Sequence, residues 1–255
     1  MTDSIRILDR LKRHIERLEQ RRFAPHAGLF SLGHSTLDDR LGGGLARGAL
    51  HEICGLDTAA ASSFALILAA RSTDNKAILW VREERGERLN GQLYGPGMVE
   101  LGVDPKRVVL VKAPDTIAAL RVGSDVLGCM SPGAVVIEPY GAAKALDLTA
   151  SRRLAMASQK SGVAAFILRS PEGLMASAAA TRWMVAAAPS APLPGQAPGH
   201  ATLALELIRH RGGVAPFEMK VEWDRDEQIF RDVDARNAAL LRNLPADAER
   251  GQMAA

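Results

Sequence analysis

The stretch Leu37-Asp38-Asp39-Arg40-Leu41-Gly42-Gly43-Gly44-Leu45-Ala46-Arg47-Gly48, followed by Ala49 to Cys54 and then Gly55-Leu56-Asp57-Thr58-Ala59-Ala60-Ala61-Ser62, decides how this chain folds. Ala49 to Cys54 reads as a strand, Gly55 opens a turn, and Ala59 to Arg71 continues as a helix. Strand, glycine turn and helix form the frame of a phosphate-binding loop. In such a loop backbone N–H groups surround phosphates, a lysine reaches the terminal ones, and a Ser or Thr serves magnesium. Gly55 stands at the first glycine and Ser62 at the hydroxyl, but Ala60 replaces the second glycine and Ala61 the lysine. The loss removes the positive charge at the β- and γ-phosphates and places a Cβ where backbone should approach. Asp57 within the loop adds repulsion toward a triphosphate. Nucleotide binding is therefore expected to be severely weakened, with no catalytic residue, no cofactor and no metal.

Working outward, short apolar runs alternate with helical patterns. After Ala49 to Cys54 the strands are Ala77 to Val81, Val108 to Lys112, Ala134 to Glu138 and Ala164 to Leu168, each too uniformly apolar for one wet face. Between them fall helices over Ala59 to Arg71, Met98 to Leu101, Thr116 to Leu127 and Leu146 to Lys160. This alternation predicts right-handed βαβ units and a mainly parallel sheet covered on both faces, an α/β three-layer core. Arg182 to Ala187, Thr202 to Arg209 and Phe217 to Trp223 lack intervening helices and read as antiparallel additions. Pro189 to Gly199 carries four prolines and is a loop. Asp232 to Leu244 reads as a short helix.

The organisation expected is an N-terminal helix over residues 1–24, a linker over 25–32, a core over 33–226 and a C-terminal extension over 227–255. From Ser4 to Arg22, Ile5, Leu8, Leu11, Ile15 and Leu18 recur at helical spacing. This stripe packs either on its own core or against a partner, and Pro25 and Gly28 in the linker give it reach.

Ser35 or Thr36 caps a short helix that runs through Leu37 and Asp38 into the glycine turn and the first core strand. That succession resembles the approach to the phosphate loop in RecA-family proteins. Tyr94-Gly95-Pro96-Gly97 and Leu101-Gly102-Val103-Asp104-Pro105 resemble the corresponding stretch of ImuA proteins, the RecA-like members of damage-inducible mutagenesis cassettes. The resemblance spans about Ser31 to Asp226. It implies a RecA-like core. Glu138 then falls where the family carries an acid for the magnesium shell, or else simply ends a buried strand. Glu83 or Glu84 falls near a water-polarising glutamate. Arg182, Arg209 and Arg211 become candidates for DNA phosphate or a neighbouring protein's nucleotide, with solvated arginines beside a hairpin as the alternative.

The resemblance further implies a part in SOS mutagenesis and translesion synthesis together with ImuB and an error-prone DnaE-type polymerase; the missing lysine adds the expectation of a non-catalytic accessory protein, docking on RecA or on that polymerase complex. Two other readings stay open: a weak ATPase borrowing Lys76, Arg71 or Arg82, and a cell-division inhibitor of the SulA type.

Composition sets limits on these. With 255 residues, 47% hydrophobic, the chain can bury one sizeable core. Lys+Arg 32 against Asp+Glu 29 leaves a net charge of +3, which predicts only weak DNA contact. Cys54 and Cys129 lie in apolar stretches without ligand spacing and read as buried thiols of a reducing compartment. No apolar run is long enough for a membrane span and the start does not read as a signal peptide, so the expected location is cytoplasmic.

Overall fold

A computed structural model describes residues 27–233 apart from residues 56, 130, 131, 174, 194 and 196. The stripe of Ile5, Leu8, Leu11, Ile15 and Leu18, and the expected helix beyond Asp232, lie outside the described residues.

The chain enters through a two-stranded ribbon, β1 (Leu29–Phe30) with β2 (Leu45–Ala46), which brackets α1 (Ser35–Arg40). His34, rather than Ser35 or Thr36, caps α1: its Nδ1 accepts from the Leu37 N–H at 3.2 Å. Asp38 holds the entry by accepting from Ser31 Oγ at 2.6 Å and Leu32 N at 2.7 Å. Gly44 has φ +124°, and a Cβ there would come within 2.1 Å of the Phe30 carbonyl oxygen. Only glycine lets the ribbon close. Phe30 and Leu32 are buried, so the expected linker is already part of the core from β1 onward.

Among the described residues the main sheet has nine strands. β3 (Leu50–Gly55), β4 (Ile78–Glu83), β5 (Val108–Ala113), β6 (Ala134–Glu138) and β7 (Ala164–Arg169) are parallel. β8 (Thr181–Ala188) also runs parallel to β3, contrary to the expected antiparallel addition. The chain reaches it from β7 by a crossover that carries only a short turn of 3₁₀ helix, Pro171–Gly173. β9 (Ala201–His210), β10 (Phe217–Asp224) and β11 (Ile229–Asp232) then follow antiparallel. Spatially the order is β11-β10-β9-β8-β3-β7-β6-β4-β5. β11 carries the sheet past the expected core limit at Asp226.

The remaining helices are α2 (Thr58–Ser72), α3 (Glu84–Asn90), α4 (Gly95–Glu100), α5 (Thr116–Gly128) and α6 (Leu148–Ser161). α2 is apolar all round, with Phe64 to Ala69 buried without interruption. A helix of that kind must be covered on every side. The sheet covers one side. On the other, β10 and β11 curl over it: Phe230 packs 6.1 Å from Phe64, and Trp223 donates from Nε1 to the Glu100 carbonyl of α4 at 2.9 Å. α5 and α6 cover the opposite face of the sheet around Val135, Ile137, Ala165 and Ile167.

Two expectations fail at the periphery. β5 ends the sheet, and Val109 and Leu110 are 49% and 36% exposed, so its apolar run does not mark a strand covered on both faces. Cys129 is exposed at the C-cap of α5, two residues past Leu127 and so turned about 200° from the buried stripe Ala119, Gly123 and Leu127.

The buried charge and imidazole of β3 are both paired. Glu52 of β3 is fully buried and accepts from Arg169 Nη1 at 2.9 Å and Arg182 Nε at 2.7 Å. Arg169 also donates to the Leu146 carbonyl, and Arg182 to that of Met175 at 2.7 Å. His51, stacked on Phe166, lies in a hydrogen-bonded chain. Trp183 Nε1 donates to Thr181 Oγ1 at 3.1 Å; that hydroxyl donates to His51 Nδ1, and His51 Nε2 donates to the Ala46 carbonyl, both at 2.9 Å. Burial pushes the His51 imidazole down to about 4.

Glu52→Gln leaves two buried guanidiniums short of a counter-charge, and the expected loss is about 3–5 kcal/mol of unfolding free energy in denaturant. Removing a carboxylate that bonded only to solvent would leave stability unchanged. His51 is neutral when folded and ionises readily when unfolded, so the unfolded chain binds more protons between about pH 6.5 and 4. Stability is therefore complete above that window and falls as pH drops through it, by up to roughly 1.4 kcal/mol per pH unit from this residue. Urea unfolding at a series of pH values checks the slope, and His51→Leu should flatten it whatever its effect on absolute stability.

Candidate functional site

Strands β3, β4, β6 and β7 end on one edge of the sheet, where α2, α5 and α6 begin. A cleft of ≈ 470 Å³ opens there between the β3–α2 turn and the segment after β6, lined among others by Gly55, Thr58, Ala61, Ser62, Glu138 and Arg169. This is the place the degenerate phosphate loop was expected to occupy. Ala60 and Ala61 are 5% and 4% exposed. A Cβ on Gly55 would lie 2.5 Å from the Ala61 Cβ and 2.8 Å from the Asp57 carbonyl oxygen, so the turn is packed on Ala61, the residue expected in the lysine's place.

The helix start itself is occupied. Asp57 caps α2, its carboxylate accepting from Ala59 N at 2.8 Å. Asp115 caps α5 through Ala118 N, and Asp147 caps α6 through Ala150 N, each at 2.8 Å. A helix N-terminus attracts anions through its free N–H groups and its dipole. On this edge all three long helices turn that attraction inward, onto carboxylates of their own.

Glu138 is equally engaged. Its Oε2 accepts from Trp80 Nε1 at 2.8 Å and its Oε1 pairs with Arg82 Nη2 at 3.1 Å. Burial raises its pKa, with Arg82 and the Trp80 hydrogen bond opposing that rise. Arg82 also donates to the Gly91 carbonyl at 2.6 Å. Glu83 is buried and accepts from Thr116 Oγ1 at 2.8 Å and Tyr140 N at 3.1 Å, whereas Glu84 is exposed at the start of α3. Of the candidate substitute cations, Arg71 donates to the Gln228 carbonyl near the far end of α2, Lys76 lies just before β4 begins, and Arg82 is tied as described. Arg169, the cationic side chain lining the cleft, is held by Glu52.

Arg182, Arg209 and Arg211 come together on one segment, Met175 to Ala179 of the crossover. Arg209 Nη2 donates to Ser177 Oγ and the Ala179 carbonyl, both at 3.2 Å, and Arg211 Nη2 donates to the Ser177 carbonyl at 3.0 Å. With the Arg182 bond to Met175, these guanidiniums staple a stretch that has no helix to satisfy its own carbonyls. A periodicity argument misses this role. Its one sequence signal is the shortage of helix-forming length between β7 and β8.

A second cleft of ≈ 390 Å³ adjoins the first, sharing Thr58, Ser62 and Asn90, and has Trp80, Met98 and Trp223 in its wall. Tyr94 of the Tyr94-Gly95-Pro96-Gly97 stretch stands at its rim, 72% exposed, as the chain enters α4. Among the described residues no group of three or more His, Cys, Asp or Glu could hold a metal ion, and no helix is long and apolar enough to cross a membrane.

Comparison with known proteins fits this framework. No family model matches the chain. The crystal structure of the RadB recombinase superposes with a TM-score of 0.57 over 81% of this chain and 100% of that one, at 17% identity, a likeness of fold alone. Protein ImuA of Caulobacter vibrioides strain NA1000 / CB15N is 34% identical over 204 residues, covering 72% of this chain and 80% of the relative. Its counterpart from strain ATCC 19089 / CIP 103742 / CB 15 matches equally. That likeness runs through most of both chains and is set on a RecA-like sheet; this chain belongs to the ImuA family.

Proposed function

We propose that the protein is a non-catalytic, RecA-shaped accessory factor of damage-induced mutagenesis and translesion DNA synthesis. Its partners on this reading are RecA, or ImuB with an error-prone DnaE-type polymerase, and its place of action is the cytoplasm. The observation that carries the non-catalytic part is the start of α2. Ala61 supplies no charge there, and the Asp57 carboxylate takes the N–H donor that a phosphate would need. Glu138, bonded to Trp80 and Arg82, is not disposed to hold a metal, and no lining cation is left over for a γ-phosphate. A fold that retains the RecA outline without the ATP switch is suited to docking beside proteins that have it. The apolar stripe expected from Ile5, Leu8, Leu11, Ile15 and Leu18 supplies one docking element, because a short amphipathic helix gains most of its stability when its apolar face is covered.

A ligand present at a hundred times its Kd stabilises a protein by about 2.7 kcal/mol, enough to move a melting curve by several degrees. Millimolar Mg-ATP should leave the melting temperature unchanged. A rise abolished by Glu138→Ala would overturn the reading. Ala60→Gly with Ala61→Lys should restore measurable binding only when Asp57→Ser also clears the helix start.

Leu8→Glu with Leu11→Glu should abolish co-purification with the partner while leaving the melting temperature in place. A variant that melts several degrees lower and still binds would assign the stripe to the protein's own core instead.

A further inference from the structure

The cations first expected to meet a partner are consumed inside the molecule, which directs attention to those that are not. α6 packs on the sheet through Ser151, Leu154 and Ser158. At 100° per residue, Met156 stands at the crest of the opposite side. It is 70% exposed, an unusual position for a thioether in the middle of a helix that covers a sheet. Arg152 flanks it on one side, and Arg153 and Lys160 on the other, all exposed. None of the three makes a hydrogen bond or ion pair within the described residues. After its Asp147 cap, α6 contains no acidic residue to neutralise them.

We infer that the outer face of α6 is a docking surface for an acidic protein segment that presents one apolar side chain to Met156 between carboxylates aimed at Arg152, Arg153 and Lys160. Charge complementarity selects the occupant. Three unpaired cations ring a single apolar crest, so the matching surface is an apolar side chain bracketed by acids. Arg152, Met156 and Lys160 repeat at four-residue spacing, about 6 Å per step along the helix. A partner helix with Glu four positions before and four after a central Leu reproduces that pattern. Arg and Met are also side chains enriched in protein interfaces, and Met adapts its shape to what it meets. A nucleic-acid strand fits less well, since the face offers cations without an aromatic side chain on which a base could stack.

The inference rests on the accessory reading, for which it supplies the chemistry of one partner contact. The test uses the full-length protein and a fluorescein-labelled, alanine-based helical peptide carrying Glu-Ala-Ala-Ala-Leu-Ala-Ala-Ala-Glu. Fluorescence anisotropy should show saturable binding. Arg152→Glu with Lys160→Glu should weaken it about tenfold or more, which corresponds to at least 1.4 kcal/mol. Met156→Ser should weaken it by a smaller factor at constant salt dependence, and all variants should melt with the parent because the substituted side chains are exposed. Replacing the central Leu of the peptide by Ala should reproduce the Met156→Ser loss. Absence of binding, or binding indifferent to these substitutions, overturns the inference. So does a short oligothymidylate that binds more tightly than the peptide and is lost with Arg152→Glu and Lys160→Glu, since the face would then serve nucleic acid. ATP binding by the parent protein would sink the accessory reading and leave the peptide result standing.

Discussion

A helix that is apolar on every side can exist in water only at the centre of something, and α2 imposes that condition on the molecule. Phe64 to Ala69 cannot be satisfied by a sheet lying on one flank alone. The antiparallel strands β10 and β11 curl across the second flank, where Phe230 packs on Phe64 and Trp223 packs on Phe230 while donating to α4. The entry ribbon, the hairpins and the short helices after β4 are thus parts of one enclosure. The small residues at the start of α2 belong to the same enclosure, because the glycine turn rests directly on Ala61.

Electrostatics follow from this geometry. A helix sealed at its centre still presents its N-terminus at the sheet edge, and the same holds for α5 and α6. Aspartate caps neutralise all three. On the opposite face of the sheet, Glu52 gathers Arg169 and Arg182, and through them fixes Leu146 ahead of α6 and Met175 in the crossover. One buried carboxylate thereby holds two loops that have little regular structure. Buried ion pairs contribute less to net stability than their number suggests, but their geometry admits few alternatives. Their effect here is to set where the loops lie.

The sequence was most legible where a single physical requirement acted locally. The five parallel strands β3 to β7 and the helices α2, α5 and α6 fall close to the segments their apolar periods marked, and Gly55 and Ser62 both line the cleft at the strand ends. Legibility failed where the deciding neighbour was distant in sequence. An apolar run such as Val108 to Lys112 looks the same in the middle of a sheet and at its edge. Thr181 to Ala188 shows nothing of its direction, which is set by a crossover lacking a helix. Arg182, Arg209 and Arg211 have the composition of phosphate ligands, yet the bare carbonyls of residues 175–179 claim them, and that demand exists only after the chain has folded. Arg152, Arg153 and Lys160 gave no motif at all; only the absence of a partner among the described residues distinguishes them.

The open flank of β5 bears on how the protein behaves in a crowded cell. Val108-Val109-Leu110-Val111 is an aliphatic, uncharged run, mostly β-branched, whose outer row of backbone donors and acceptors has no strand beside it among the described residues. Such an edge invites promiscuous strand pairing between molecules and is a common origin of aggregation. Lys112, held at 2.9 Å from Glu87 of α3, places one ammonium group at the end of that run. It acts as a gatekeeper, because a second strand added in register would have to strip its water or break its ion pair. The guard on the β5 edge of the sheet is thus a single ammonium, held in place by a carboxylate of the helix beside it.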